Sequence, residues 1–358
     1  MIKLEIEKRK NVGLVWQVLS FIIALFAAMI VTGCLLYWAG LDAIEAFLAV
    51  YEGAFVGVEA IVETLVRATP LILTGLATVV AFRASVWNIG QEGQLVLGAI
   101  FGFWVSMEFS YLPYYLLIPL VIVAGFVGGG ALGALCGWLK SRYDVSEIIS
   151  TVMLNYVVIY LLTYLISGPW MAPGEFYLHT APLSENSILP TLLEDTRLHG
   201  GFLISIVAAI GIHVLINKTS FGYDIKAFGY NSVACKFKGM NVPRTLVLLM
   251  MISGGLSGLA GAGELFGVQD RLSGSIAQNL GFTGILVAMC GGLSPLGTLL
   301  AAILFGGLVN GGFMMQILTG VPASMVYVMQ AVVLLFFLCS GLMATFRIRI
   351  IIQKRVKQ

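Results

Sequence analysis

Five charged or amide side chains crowd into one twelve-residue stretch, RASVWNIGQEGQ: Arg83, Asn88, Gln91, Glu92 and Gln94. Amides and a carboxylate grouped in this way can hold the hydroxyls and ring nitrogens of a polar solute, and no catalytic constellation accompanies them. The stretch lies between two runs apolar enough to enter a bilayer. There an isolated Arg or acid costs about 2.5 to 3.5 kcal/mol, so such residues face a bundle interior or a water-filled path. Gly90 and Gly93 let the backbone leave helical geometry, which is tolerated at membrane depth only where protein or a cavity surrounds it. The expectation is that this stretch lines a passage, with Asn155 in a later apolar run as the next candidate. For Glu92 two readings stand side by side, contact with the solute and an ion pair with Arg83.

Other chemistry is poorly supplied. The cysteines at 34, 136, 235, 290 and 339 contain no C-x-x-C pair, and His179, His199 and His213 form no H-E-x-x-H arrangement. Neither a disulfide framework nor a metal site is expected, and no cofactor is implied. No G-x-x-x-x-G-K-[ST] phosphate loop occurs, so ATP hydrolysis, if it drives the protein, belongs to another chain and this one is not itself an enzyme. A net charge of +2 without a basic, aromatic-interleaved face gives no reason to expect nucleic acid.

The elements that must position these residues are membrane helices. Apolar residues make up 59% of the 358 before 42 glycines are counted, and charged ones 11%; soluble domains hold about 45 to 50% apolar residues with glycine included. With about 20 apolar residues needed per crossing, about ten spans are predicted, over roughly 12–38, 65–82, 93–107, 114–139, 145–166, 201–216, 245–262, 280–292, 296–313 and 324–346. The predicted fold is an all-α integral membrane bundle with both termini cytoplasmic: a tail over 1–11, one transmembrane domain over 12–346, and a basic tail over 347–358. Of the 20 Lys and Arg, only Arg67, Arg197 and Arg271 fall outside on this topology, in keeping with the positive-inside rule. Lys8 to Lys10 followed by an apolar run resembles a signal peptide, but the run is too long, and it is expected to remain as the first span.

Between spans, 40–63 is predicted to be an external amphipathic helix, because Asp42, Glu45, Glu52, Glu59 and Glu63 fall on one stripe at 100° per residue. Asp144 and Glu147 read as the N-cap of the fifth span. The glycines at 125, 129, 133 and 137 form a stripe for close helix packing. The segments 167–200 and the stretch holding Glu264, Asp270 and Arg271 are expected as external loops. Cytoplasmic residues 217–244 end in helix grammar: Asn231 can cap, two turns follow, Gly239 suits a left-handed stop and Pro243 ends the run. This is either a docking knob for a partner or an ordinary basic loop.

FRASVWNIGQEGQLVLGA, the run SEIISTVMLNY (Ser146 to Tyr156), the A-x-G-x-N-x-x-A-x-x-x-x-G element (Ala227 to Gly239) and GLSGLAGAGELFG (Gly255 to Gly267) together resemble the membrane permeases of bacterial ABC importers. Within that group, which also takes up ribose and other simple sugars, the chain is most similar to the nucleoside-type permeases linked to BMP-type binding lipoproteins. The resemblance implies a permease in the bacterial plasma membrane, a separate cytoplasmic ABC ATPase, an extracellular substrate-binding lipoprotein, and a second permease copy or paralogue. It implies that Ala227, Gly229, Asn231, Ala234, Phe237 and Gly239 belong to the element that docks the ATPase, making 217–244 a coupling loop. Cys235 stands where the family has a second alanine, and Trp87 where it has phenylalanine. The solute would be a nucleoside, or alternatively a simple sugar, and Asn88, Gln91, Glu92, Gln94 and Asn155 would line its path. An ion-coupled secondary transporter is the weaker alternative, since Glu92 and Glu108 are the only acids near span interiors.

Overall fold

The computed structural model describes residues 2–8, 14–174, 176–276 and 278–352. The chain order is strand β1 (Ile2–Lys8), then helices α1 (Leu14–Trp38), α2 (Ala43–Phe55), α3 (Val58–Arg83), α4 (Gln91–Glu108), α5 (Tyr114–Tyr143), α6 (Glu147–Ser167), α7 (Gly201–Lys218), α8 (Ser220–Tyr230), α9 (Ser232–Phe237), α10 (Val242–Glu264), α11 (Leu280–Cys290), α12 (Pro295–Thr319) and α13 (Ala323–Thr345), and last strand β2 (Phe346–Ile352). Each of the ten stretches expected to cross a membrane is helical. Among the described residues seven helices, α3, α5, α6, α7, α10, α12 and α13, are long and apolar enough to do so by length and composition. Two of the remaining three fall short for local reasons: α4 carries Gln91, Glu92 and Gln94 in its opening turns, and α11 has only 11 residues.

The chain forms two compact units, Ala54–Asn310 and the combination of Met1–Gly53 with Gly311–Gln358. In the larger, α3 is the central helix, with every residue from Ala68 to Ala81 buried. The glycine stripe of α5 does what its spacing suggests. A Cβ added at Gly129 would lie 2.7 Å from Gly258 Cα of α10, and one at Gly133 would lie 3.2 Å from Gly254 Cα. Gly98 of α4 meets the same Gly258, and Gly261 of α10 meets the Leu95 carbonyl. α4, α5 and α10 therefore touch backbone to backbone along one seam.

Residues 168–200 are not a free loop. Thr180 N–H donates to Leu272 O (3.0 Å), Leu183 N–H to Asp270 O (2.9 Å) and Leu189 N–H to Phe266 O (2.8 Å), which stitches this segment to the one after α10. His199 closes it, buried, with Nδ1 accepting from Gly201 N–H at 3.1 Å. Burial first, and the charge of Arg197 second, push its pKa from 6.5 down to about 4. The folded state thus keeps the ring neutral while the unfolded chain takes up a proton below pH 6.5. The resulting stability is complete above that pH and is lost as pH falls toward 4, by about 3 kcal/mol. Thermal unfolding in detergent should show the wild type losing more stability between pH 7.5 and 5 than His199→Gln does; parallel curves would refute this.

Three local expectations are corrected. The stripe of acids does not lie on one helix: Gly57, at φ 93°, separates α2 from α3, so Glu45 and Glu52 belong to one and Glu59 and Glu63 to the other. Asp42 instead caps α2, accepting from Ile44 N–H at 2.8 Å. Asp144 ends α5 in the left-handed conformation, its N–H donating to Lys140 O at 3.1 Å, rather than starting α6, whose N-cap is Ser146; the Lys140 ammonium pairs with both Asp144 (3.4 Å) and Glu147 (3.2 Å). Glu264 is the buried last residue of α10 rather than a loop acid, and the chain runs on from it as a π-helical turn over Leu265–Gln269.

In the smaller unit α1 packs along α13, and Gly311 closes on the Val50 carbonyl. The parts of the two tails that are described pair as an antiparallel ribbon in register from Ile2↔Ile352 to Lys8↔Phe346. These are the only strands longer than an isolated bridge among the described residues.

Candidate functional site

α3 stops at Arg83 and α4 starts at Gln91, and the non-helical link between them needs partners for its freed backbone groups. Side chains supply them. Asn155, from α6, accepts from Gly93 N–H (2.8 Å) and donates to Ile89 O (2.9 Å). Thr151, one turn earlier, accepts from Ile89 N–H at 3.3 Å. Asn88 turns its Oδ1 back onto Gly90 N–H (3.0 Å) and exchanges two amide bonds with Gln94, at 3.0 and 3.1 Å. Its Nδ2 also donates to Ser253 Oγ of α10 (2.9 Å), and that hydroxyl donates in turn to Ala77 O of α3 (2.8 Å).

Gln91 reaches α3. In the orientation that satisfies both ends of its amide, the oxygen accepts from Thr78 N–H (3.1 Å) and the nitrogen donates to Thr74 O (2.9 Å). Glu92 accepts from Asn279 N–H (2.8 Å) and Gly281 N–H (2.7 Å), so its carboxylate sits on the first turn of α11, where the helix dipole favours a negative charge. The ion pair with Arg83 does not form, because Arg83 Nε donates to Leu293 O, in the turn between α11 and α12, at 2.8 Å. The structure therefore places all five residues expected to line a path, Asn88, Gln91, Glu92, Gln94 and Asn155, in one buried polar region around the link and the start of α4, with each 0 to 2% exposed. A buried network with every member satisfied fixes a single arrangement of the helices that share it. Here those helices are α3, α4, α6, α10 and α11. Sequence reading missed the partners Thr74, Thr78, Thr151 and Ser253; the four-residue spacing of Thr74 and Thr78 within an apolar run was the available signal.

Trp87 is half exposed and packs on Phe82, with ring centroids 4.7 Å apart. A cavity of about 380 Å³ lies at the far end of α4, lined by Phe103, Ser106, Trp170, Leu183 and Ser184 among others.

The second group of expected residues lies on α8 and α9. Asn231 caps α9, its Oδ1 accepting from Ala234 N–H at 2.9 Å, and Gly239 ends the element at φ 81°. Pro243 sits in the first turn of α10, where its missing N–H has no cost. Ala234 is exposed, as are Phe237 at 88% and the unanticipated Tyr230 at 92%, an apolar display suited to a partner. Ala227 and Gly229 are partly covered. Gly229 abuts the backbone of Arg83 and Ala84, and Ser85 Oγ donates to its carbonyl at 3.0 Å. The exposed element is thereby joined to the link that opens the buried network.

Three relatives run the length of this arrangement. The chain is 34% identical to the guanosine ABC transporter permease protein NupP of Bacillus subtilis, over 89% of this chain and 92% of that one. It is 33% identical to the nucleoside ABC transporter permease protein NupB of Lactococcus lactis, over 89% and 90%. It is 31% identical to the glucose ABC transporter permease protein TsgB13 of Haloferax volcanii, over 99% and 96%. The model of the family described as branched-chain amino acid transport system / permease component matches residues 60–338, from α3 through most of α13, and the chain belongs to that family of membrane permeases.

Proposed function

We propose that this chain is the membrane-spanning subunit of an ATP-binding cassette importer in the bacterial plasma membrane and that it conducts a nucleoside. The observation that carries the reading is its one-third identity, over nine tenths of its length, to two permeases named for guanosine and for nucleosides. A simple sugar is the second reading, favoured by the glucose permease that matches 99% of the chain. About ten spans place both termini in the cytoplasm; the pairing of β1 with β2, which brings the ends to one side, supports an even number. The exposed α8–α9 element, with Ala227, Gly229, Asn231, Ala234, Phe237 and Gly239, docks a separate ATPase. An external binding lipoprotein delivers the solute, and a second permease copy or paralogue completes the path. Asn88, Gln91, Glu92, Gln94 and Asn155 belong to the wall of that path, holding its helices in place by the bonds described above.

Reconstitution tests this. Vesicles holding this chain with its partner permease, ATPase and binding protein should take up guanosine only when ATP is supplied on the ATPase side. Uptake by the chain alone, driven by an ion gradient and indifferent to ATP, would overturn the assignment.

A further inference from the structure

Two helices of the larger unit turn a long exposed face outward, and the two faces differ in chemistry. On α7 the exposed residues Leu203, Val207, Ile210 and Val214 are aliphatic, as a face against lipid tails should be. On α6 the exposed face carries Ile149, Met153, Tyr156, Tyr160 and Tyr164, spaced three or four apart and so aligned. Asn155, Val158, Leu162 and Ile166 occupy the opposite, buried side.

Tyr156, Tyr160 and Tyr164 are 58, 71 and 65% exposed, and none of their hydroxyls has a partner among the described residues. α6 has 21 residues, hence a length of about 32 Å, enough to span the hydrocarbon core. Tyr164, near its end, is at the depth where membrane tyrosines normally collect. Tyr156 is at the midpoint and Tyr160 about 6 Å beyond it. A phenol hydroxyl at that depth against lipid tails would have nothing to bond and would be strongly disfavoured.

We propose that the Tyr156, Tyr160 and Tyr164 face of α6 is the solute-contacting wall of a water-filled path, its rings stacking on a nucleobase and its hydroxyls meeting the ribose. The inference rests on the nucleoside-importer reading above and names the groups that reading lacks, since the buried amides are already committed to other groups of the protein. Asn155, on the back of the same helix, is then a positioning residue that ties α6 to Ile89 and Gly93. Aromatic faces accept any nucleobase, because every base has a π-face.

The test uses the full complex in vesicles, with Cys34, Cys136, Cys235, Cys290 and Cys339 replaced by serine or alanine. Tyr156→Cys, Tyr160→Cys and, as the lipid-facing comparison, Val207→Cys are exposed to a charged, membrane-impermeant thiol reagent. The first two are expected to react at least tenfold faster than the third, and guanosine to slow them at least fivefold. In the complex with native cysteines, Tyr160→Phe should lower guanosine uptake about fivefold while the ATPase still co-purifies. Failure of Tyr156→Cys and Tyr160→Cys to react would overturn the proposal, placing lipid or the second permease against this face. Reaction slowed by neither guanosine nor glucose would overturn the solute contact. Reaction slowed by glucose and not guanosine would uphold the wall and overturn the nucleoside reading.

Discussion

Replacing Gly129 with leucine is expected to leave no stably folded protein. The first atom of any side chain there would lie 2.7 Å from both Gly258 Cα and Gly258 N and overlap the Gly254 carbonyl. Overpacking a core costs about 1 to 3 kcal/mol when side chains can move aside. At this site the obstacle is the backbone of α10, which cannot rotate away, so the helices must part. Their parting would also pull Ser253 from Asn88 and strip the buried network of one member. The loss should approach the whole stability of a typical domain, about 5 to 15 kcal/mol. The measurement is the yield of monodisperse protein in detergent and its unfolding temperature. Gly211→Ala on α7, where an added Cβ meets nothing within 4 Å, is the comparison and should be neutral or slightly stabilising. A Gly129→Leu protein that purifies and unfolds like the wild type would refute the seam.

The second large effect is expected at Gly229. A Cβ at this position would lie 3.1 Å from Ala84 Cα and strike the Arg83 carbonyl, so Gly229→Val should push α8 off the link between α3 and α4. The apolar display of Tyr230 and Phe237 lies beyond this contact, so ATPase binding should fall less than uptake does. For uptake a fall of at least tenfold is expected, with ATP hydrolysis continuing uncoupled. Ser85→Ala removes only the hydroxyl bond to the Gly229 carbonyl and should cost about threefold, in proportion to one exposed hydrogen bond. Co-purification of the ATPase and uptake in vesicles, measured on the same preparations, decide the matter. Full uptake by Gly229→Val would show that this contact transmits nothing.

What could be read from the residues alone follows from how local the determining interactions are. The cap at Asn231 and the left-handed stop at Gly239 involve neighbours within a few positions, and both were legible. The glycine stripe on α5 announced a close helix neighbour but could not name α10. The polar stretch from Arg83 to Gln94 announced that its groups needed partners; those partners lie far along the chain, Ser253 for Asn88 and the turn before α11 for Glu92. A requirement is local, whereas its fulfilment depends on tertiary packing. The broken stripe of acids fails for a related reason. Periodicity continued across Gly57, but a glycine at positive φ ends a helix whatever the residues on either side suggest.

The glycine seam also limits how the protein can move. Where two helices meet through side chains, one can slide along the other by repacking rotamers. α4, α5 and α10 meet through bare backbone, and a slip of even one residue, about 1.5 Å, would drive carbonyl oxygens into Cα atoms. Shear within the trio is therefore forbidden, and the three must travel as a single solid. An alternation between inward and outward access then has to carry that solid as one body, and a crosslink placed anywhere within the trio should leave the transport cycle running.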